Sequence, residues 1–166
     1  MGDWSGTVPT ILAGTVPLGS DWDSILGELT AIQAGWTSYT PTWSSSGTLP
    51  VLNNGTLAAA YNRVGNWGQI AITLTVGSTS TFGTGTYRFT IPSGWSLSND
   101  RVFGTSFCYD LSATTPYIGA TVFATSTTLT MRLHNLATNG GVPAPTSPFT
   151  FATGDKIYIG FKGEIA

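Results

Sequence analysis

The stretch Trp67–Val76 most constrains the fold, because its bulky apolar residues recur at every second position. Successive side chains of a β-strand point to opposite faces, so this spacing places one apolar row on a single face. The row consists of Ile70, Ile72, Leu74 and Val76. A strand with one apolar face must be covered by other elements, so the sequence predicts that this strand belongs to an antiparallel sheet packed on a core.

Neighbouring segments repeat the pattern and are separated by turn residues. Leu57–Val64 follows Asn54-Gly55, where both residues tolerate the positive φ of a tight turn. Tyr87–Ile91 ends before Pro92, which cannot donate to a strand ladder. After a connection at 93–100, further strands are predicted at 101–110, 117–124, 127–134, a short edge at 149–151, and 156–165. About eight short strands of this kind predict an all-β antiparallel β-sandwich of jelly-roll type.

Three segments precede the predicted β-sandwich domain, which spans residues 51–166. Residues 1–19 are rich in glycine and carry Pro9 and Pro17, so they predict an extended attachment arm that becomes ordered on a partner. Residues 20–35 predict one short helix, capped by Ser20 and ended by Gly35. Residues 36–50 are interpreted as a linker strand and loop.

The predicted helix carries an apolar seam with the three- and four-residue spacing of a short coiled coil. The seam consists of Trp22, Ile25, Leu29 and Ile32. One interpretation is a helix that oligomerises the chain. The other is an ordinary amphipathic helix that packs on its own β-domain. A helix of so few turns is only marginally stable alone. Oligomerisation through this helix would therefore need help from the β-domains.

Several short sequence motifs occur here in the order in which they occur in a known group of proteins, which the chain therefore resembles. The words are VPT (8–10), AGTVP (13–17), WTSYTPTW (36–43), NGTL (54–57), YNRVG (61–65) and GSTSTFGTG (77–85). The chain thus resembles small tail-fibre, minor tail and other virion-surface proteins of bacteriophages, especially those of actinobacteria. The resemblance covers roughly the first half of the chain. It implies a structural or adhesive role on a virion, and the usual trimeric state of fibre-like proteins favours a homotrimer.

The words Trp36–Trp43 allow two interpretations. Trp36, Tyr39 and Trp43 would form an aromatic platform for sugar rings, or they would anchor the helix to the β-domain. We favour the anchor, because the same words recur in the resembling proteins irrespective of what each one binds.

Low charge excludes several classes of partner. Charged residues make up 8% of the chain and the net charge is −2, so no basic patch for nucleic acid is expected. No apolar run approaches the roughly 20 residues of a spanning helix, so no membrane insertion is expected. The beginning of the chain does not resemble a signal peptide. Together with the resemblance, this predicts a chain made in a host cytoplasm and located in the virion.

The residues that usually carry catalysis are scarce. His134 is the single histidine and Cys108 the single cysteine, so neither a metal cluster nor a disulfide is predicted. We interpret Cys108 as a small buried hydrophobe. The Gly-rich loop 77–85 lacks the lysine and the following helix of a phosphate loop. The sequence therefore predicts no enzyme and no cofactor.

Binding through loops is the better-supported class, since loops on a rigid scaffold carry recognition. Candidate loop residues are Ser78, Thr81, Phe82, Tyr109, Asp110, Tyr117, Asn135 and Asn139. The main hypothesis is a trimeric fibre or receptor-binding protein. It docks on other virion proteins through its arm and displays the β-sandwich to a host-surface glycan or protein. The alternative is a capsid or tail decoration protein without a specific receptor. A carbohydrate-degrading tail enzyme is a third hypothesis, for which no residue stands out as a catalytic group.

Overall fold

The computed structural model describes residues 22, 23, 26, 35–134 and 141–166, and for residues 98–102 it describes the backbone alone. Within these ranges the chain forms ten β-strands of one antiparallel sheet. The strands are β1 (Thr37–Tyr39), β2 (Trp43–Ser45), β3 (Thr56–Val64), β4 (Trp67–Thr75), β5 (Tyr87–Thr90), β6 (Leu97–Phe103), β7 (Thr105–Asp110), β8 (Thr115–Thr125), β9 (Thr128–Leu133) and β10 (Lys156–Ile165). The predicted all-β, antiparallel, sandwich-like fold is confirmed.

Most of the segment predicted to mediate assembly lies outside the described residues. This applies to the predicted arm at 1–19 and to three residues of the apolar seam, Ile25, Leu29 and Ile32. Of the predicted helix at 20–35, the structure describes Trp22, Asp23 and Leu26 in helical conformation and Gly35 in a non-helical one. The roles of the arm and the helix therefore stay predictions.

The alternating row in β4 lies in the core, as its spacing predicts. Ile70, Ile72 and Leu74 are buried, and each faces a buried residue of β10 across an antiparallel ladder. The paired residues are Ile70 with Phe161, Ile72 with Ile159, and Leu74 with Ile157. Burying side chains of this size contributes about 1.5–3 kcal/mol each, so the β4–β10 pair anchors the core.

The sheet curls until its two edges meet. Its strand order is β1-β3-β4-β10-β7-β8-β9-β5-β2, and β6 also pairs with β10. The two edge strands, β1 and β2, follow each other in the chain and are joined by residues 40–42. Thr42 accepts a hydrogen bond from the Thr90 amide (3.2 Å) and donates its own amide to the Thr90 hydroxyl (2.8 Å). Residues 36–50 therefore connect the two edges of the sheet and are part of the β-domain.

The packing of Trp43 also shows that residues 36–50 are part of the β-domain. Its side chain is 7% exposed, and its ring packs edge-on against Tyr87, with ring centroids 5.2 Å apart. Tyr39 is half-buried and donates its hydroxyl to the Thr90 carbonyl (3.3 Å), whereas Trp36 is 53% exposed. Tyr39 and Trp43 thus pack against the domain. The three aromatic residues do not form one exposed row.

Two strand predictions were wrong. The connection predicted at 93–100 contains the start of β6, and Trp95 and Leu97 are buried. The short edge predicted at 149–151 is not a strand. Prolines at 143, 145 and 148 remove backbone donors from this stretch, and Phe151 turns inward and is buried.

A close crossing separates β6 from β7. Both strands pair with β10 in one register, and Gly104 lies between them. A Cβ at Gly104 would collide with the Gly160 carbonyl oxygen. Thr121 of β8 holds the crossing, because its amide donates to the Gly104 carbonyl (2.9 Å) and its hydroxyl donates to the Gly160 carbonyl (2.7 Å).

The connections are distributed unequally between the two ends of the domain. We call residues 46–55, 76–86, 111–114 and 141–155 the loop end. The opposite end consists of short connections at 65–66, 91–96 and 126–127, and Ala166 donates its amide there to Ser96. The chain also enters β1 on this side, because the Asn62 amide group donates to the Gly35 carbonyl (3.5 Å). The long loops and the entry of the N-terminal segment are thus at opposite ends.

Cys108 is buried between β-strands, as the sequence analysis predicts. Its side chain is fully buried, and its thiol lies 3.6 Å from the Met131 sulfur. Burial raises the pKa of the Cys108 thiol to about 12, because the thiolate would lose its hydration. The thiol therefore stays neutral and packs as a small apolar group.

We predict that Trp43→Ala lowers the free energy of unfolding by about 3–5 kcal/mol, because it leaves a cavity where the edges of the sheet meet. Trp43→Phe will cost less, since the indole N–H finds no hydrogen-bond partner among the described residues. Trp36→Ala is the matched control at an exposed position. Urea unfolding measures all three, and equal losses for Trp43→Ala and Trp36→Ala would contradict the role of Trp43 in the core.

Candidate binding surface at the loop end

Two loops of the loop end, 46–55 and 76–86, are joined by backbone hydrogen bonds. Val51 and Thr81 exchange both amide–carbonyl bonds at 2.9 Å, and the Thr84 amide donates to the Thr48 carbonyl at 3.0 Å. The hydroxyls of Thr48 and Thr84 also lie 3.0 Å apart. Gly83 and Gly85 adopt positive φ values of 58° and 83°, which side chains disfavour. The Gly-rich composition thus serves a close contact between loops.

The Asn54 side chain fixes the same pair of loops. Its carbonyl oxygen accepts from the Thr79 amide (2.9 Å) and the Thr79 hydroxyl (2.8 Å). Its amide group donates to the Ser78 hydroxyl (2.9 Å). The turn lies one residue earlier than predicted: the Gly55 amide donates to the Leu52 carbonyl (2.9 Å), and Asn53 carries the positive φ of 48°. The side-chain contacts of Asn54 explain this shift, because they bind Asn54 across to the neighbouring loop.

Asp155 holds the other two loops. Its side chain is 2% exposed, and its two carboxylate oxygens accept from the amides of Leu111 (2.9 Å) and Ala152 (2.7 Å). The backbone of Asp155 also accepts from Val76 (2.9 Å). The carboxylate therefore fixes the β7–β8 turn and the 152–155 turn, and the backbone carbonyl of the same residue fixes the end of β4. The sequence does not reveal this role, because an acid after Thr153-Gly154 is also typical of a solvent-exposed turn.

Aromatic rings fill the space beneath the loops. Phe151 lies at the centre, with its ring centroid 4.6 Å from Phe149, 5.9 Å from Tyr87 and 6.3 Å from Phe82. Tyr117 packs against Phe149, with ring centroids 5.1 Å apart and ring planes tilted by 38°. Two predicted binding residues, Phe82 and Tyr117, are therefore half-buried members of this cluster. Their rings support the loops and do not stand on the surface as free binding platforms.

The remaining predicted binding residues fall into different environments. Ser78 and Thr81 are exposed at the loop end. Tyr109 lies at an outward position of β7 and is half-buried. Asn135 and Asn139 lie outside the described residues. The structure therefore brings Ser78 and Thr81 together in one loop and separates them from Tyr109.

Asp110 organises the turn that follows β7. Its carboxylate accepts from the Ser112 hydroxyl (2.7 Å) and the Ala113 amide (3.0 Å). The Ser112 hydroxyl and the Ala113 amide hold the pKa of the Asp110 carboxyl below its usual range, because both bonds favour the charged form. Asp110, the last residue of β7, thus holds the turn at 111–114 in place.

The loop end presents hydrogen-bonding groups with little charge. Within the four ranges that define it, Asp155 is the one charged residue, and that carboxylate is buried. Its surface carries the hydroxyl and amide side chains of Asn53, Ser78, Thr79, Thr81 and Thr84. It also carries the exposed apolar side chains of Leu49, Val51 and Leu111. Such groups donate and accept hydrogen bonds with uncharged polar ligands.

The described residues contain no group of three His, Cys, Asp or Glu side chains that would hold a metal ion. His134 lies exposed at the end of β9, and its backbone amide donates to the Ile118 carbonyl (2.8 Å). No helix in the described part of the chain combines the length and the hydropathy needed to cross a bilayer. The chain matches no protein-family model, no curated protein and no solved structure among those compared.

We predict that Asp155→Asn lowers the free energy of unfolding by about 1–3 kcal/mol, because one of the two backbone amides loses its acceptor in the buried carboxylate. Asp110→Asn is the matched control, since asparagine also supports an Asx-turn and this turn is exposed. Equilibrium unfolding in urea compares the two variants. A loss for Asp155→Asn no larger than that of Asp110→Asn would contradict the role of the buried carboxylate.

Proposed function

We propose that this chain is a structural virion protein of a bacteriophage, of the trimeric fibre or receptor-binding type. It docks on other virion proteins through its N-terminal arm and presents the loop end to the host surface. The observation that carries the proposal is the polarity of the domain. The long loops form one end, and the chain enters β1 at Gly35 on the side of the other. This polarity suits attachment at one end and recognition at the other, and the resemblance of the first half supplies the class of protein.

The chemistry of the loop end favours an uncharged polar partner. Its surface offers hydroxyls and amides beside the exposed apolar side chains of Leu49, Val51 and Leu111. Cross-loop hydrogen bonds hold the loops in place before any partner arrives. Preorganised loops lose little conformational entropy on binding. A host-surface glycan, which offers many neutral hydroxyls, fits these groups, as does a polar protein surface.

One observation favours the alternative, a decoration protein of the capsid or tail. Phe82 and Tyr117 pack into the aromatic cluster beneath the loops, whereas sugar recognition commonly uses an exposed ring face. A decoration protein would use the same attachment segment and the same rigid domain without a receptor. The two candidates differ in what the loop end does. Both assign the chain a structural role without catalysis.

We predict that Ser78→Arg combined with Thr81→Arg reduces adsorption of the purified chain to host cells by about tenfold or more, the scale at which hot-spot residues act. Bulky cations would block the hydroxyl surface while leaving the core intact. Ser93→Arg, at the opposite end, is the matched control. Fluorescence of labelled protein on washed cells measures adsorption. Equal adsorption of both variants would favour the decoration protein.

We predict that deletion of residues 1–35 abolishes incorporation into particles, because the arm supplies the docking contact. The truncated chain will keep the β-domain, since its core lies within residues 37–166. Complementation of a phage that lacks the gene, followed by immunoblotting of purified particles, measures incorporation. Full incorporation of the truncated chain would contradict the proposed attachment.

A further inference from the structure

Asn54 and Gly55 form the dipeptide in which asparagine loses its side-chain amide most readily, because glycine leaves the approach to that side chain unhindered. The backbone nitrogen of Gly55, once it has given its proton to solvent, attacks Cγ of Asn54. The bond from nitrogen to Cγ forms, the bond from Cγ to Nδ2 breaks, and ammonia leaves. Water then opens the cyclic imide at either carbonyl and yields aspartate or isoaspartate. Asn54 is exposed, so solvent reaches the reacting atoms.

The side chain of Asn54 is held in place by the neighbouring loop. Its carbonyl oxygen accepts from the amide (2.9 Å) and the hydroxyl (2.8 Å) of Thr79, and its amide group donates to the Ser78 hydroxyl (2.9 Å). The attack makes Cγ tetrahedral and draws it towards the main chain, so the oxygen and the nitrogen both leave these positions. The three hydrogen bonds therefore oppose the reaction while the loops are closed.

The attacking nitrogen is held as well. The Gly55 amide donates to the Leu52 carbonyl (2.9 Å), and it must lose this bond together with its proton before it attacks. The main chain of Gly77 packs against both reacting groups, because a Cβ at Gly77 would collide with the Asn54 side-chain oxygen and with the Gly55 nitrogen. Movement of either group towards the other is thus restricted while the 76–86 loop stays in place.

The fold requires both residues of this dipeptide. A Cβ at Gly55 would collide with the Thr75 carbonyl oxygen and with the Leu52 side chain, so the position needs glycine. The Asn54 side chain supplies an acceptor and a donor at once, which aspartate does not. The reactive dipeptide is therefore a consequence of the way in which the two loops are joined.

We propose that Asn54 is a deamidation site that the closed pair of loops protects, and that its conversion to isoaspartate loosens the loop end. Isoaspartate lengthens the main chain within the turn that the Gly55 amide closes on Leu52. It also adds an exposed negative charge to an end whose one charged residue, Asp155, is buried. The product accumulates with the time that the loops spend open. This inference goes beyond the proposed function and does not depend on it.

The test is the rate of deamidation at Asn54 in the full chain, followed by peptide mapping and mass spectrometry in mildly alkaline buffer. The folded chain is compared with the same chain in urea, where Asn139, which glycine also follows, is the reference for an unprotected dipeptide. We expect Asn54 to react about as fast as Asn139 in urea, and about tenfold or more slower in the folded chain, since several hydrogen bonds must open. Equal rates at Asn54 in urea and in the folded chain would overturn the proposal.

Ser78→Ala combined with Thr79→Val removes two of the three hydrogen bonds to the Asn54 side chain. We expect deamidation at Asn54 in this folded variant to be about tenfold faster than in the wild type. Ser112→Ala combined with Thr115→Val is the matched control, because it removes two hydroxyls that donate within the β7–β8 turn, and is expected to leave the rate unchanged. Far-ultraviolet circular dichroism checks that both are folded. A rate at Asn54 equal to that of the wild type would overturn the protection, and so would a slower one, which would mean that the donors activate the carbonyl.

Hydrogen exchange tests whether the conversion loosens the loops. The folded double variant is aged, and its isoaspartate fraction is separated from the intact fraction by the added charge. The amides of Thr81 and Thr84 donate across the two loops, so we expect both to exchange faster in the isoaspartate fraction. The Thr121 amide, which donates to the Gly104 carbonyl, is the internal control and is expected to exchange equally in both. Equal exchange at Thr81 and Thr84 in the two fractions would overturn this part of the proposal.

Discussion

The fold depends on the contact that closes the sheet. An open antiparallel sheet leaves two edges with unpaired amides and carbonyls, which are prone to pair with other chains. In this chain β1 covers the edge of β3, β2 covers the edge of β5, and residues 40–42 join the two. Tyr39 of β1 donates its hydroxyl to the Thr90 carbonyl of β5 (3.3 Å) and so joins the two sides, while the bonds between Thr42 and Thr90 extend the β2–β5 ladder. Closure gives the domain two distinct ends.

At the loop end, hydroxyl and amide groups form the polar contacts between loops that charged residues form on many protein surfaces. The loops are joined by Thr48 with Thr84 and by Asn54 with Thr79. The single carboxylate of the loop end, that of Asp155, is buried and accepts hydrogen bonds from two backbone amides. Neutral hydrogen bonds gain about 0.5–1.5 kcal/mol each, so several are needed to fix a loop, which accounts for the abundance of Thr, Ser and Asn. The result is a surface that is nearly free of charge, on which hydroxyl and amide groups lie beside the exposed side chains of Leu49, Val51 and Leu111.

The sequence predicted well the parts of the fold that are encoded locally. The two-residue alternation of Ile70, Ile72 and Leu74 needs no knowledge of the partner strand, and it placed β4 and its core face correctly. The three-residue strands β1 and β2 are too short to show alternation. Trp43 was therefore interpreted as part of a linker, although it packs on Tyr87, which lies far along the chain. Phe149 and Phe151 imitate the alternation of an edge strand, but the neighbouring prolines prevent a ladder.

The candidate site was predicted in part for the same reason. Composition identified the exposed loop that carries Ser78 and Thr81. It did not reveal that Phe82 turns inward, because that depends on Phe151. Nor did it reveal Asp155, whose amide partner at Leu111 is distant in sequence. Contacts between distant loops leave no periodic signal, so the supporting residues of a loop surface emerge only from the fold.

The orientation of the domain on a particle tests the account most directly. Cys108 is buried and its thiol has a pKa of about 12, so an introduced cysteine can be labelled against a silent background. Particles that carry Thr81→Cys or Asn66→Cys would be treated with a maleimide dye, and labelling would be compared with that of the purified chains. The account predicts that Thr81→Cys is labelled on the particle as fully as in the purified chain, and that Asn66→Cys is protected. Protection of Thr81→Cys with labelling of Asn66→Cys would contradict it.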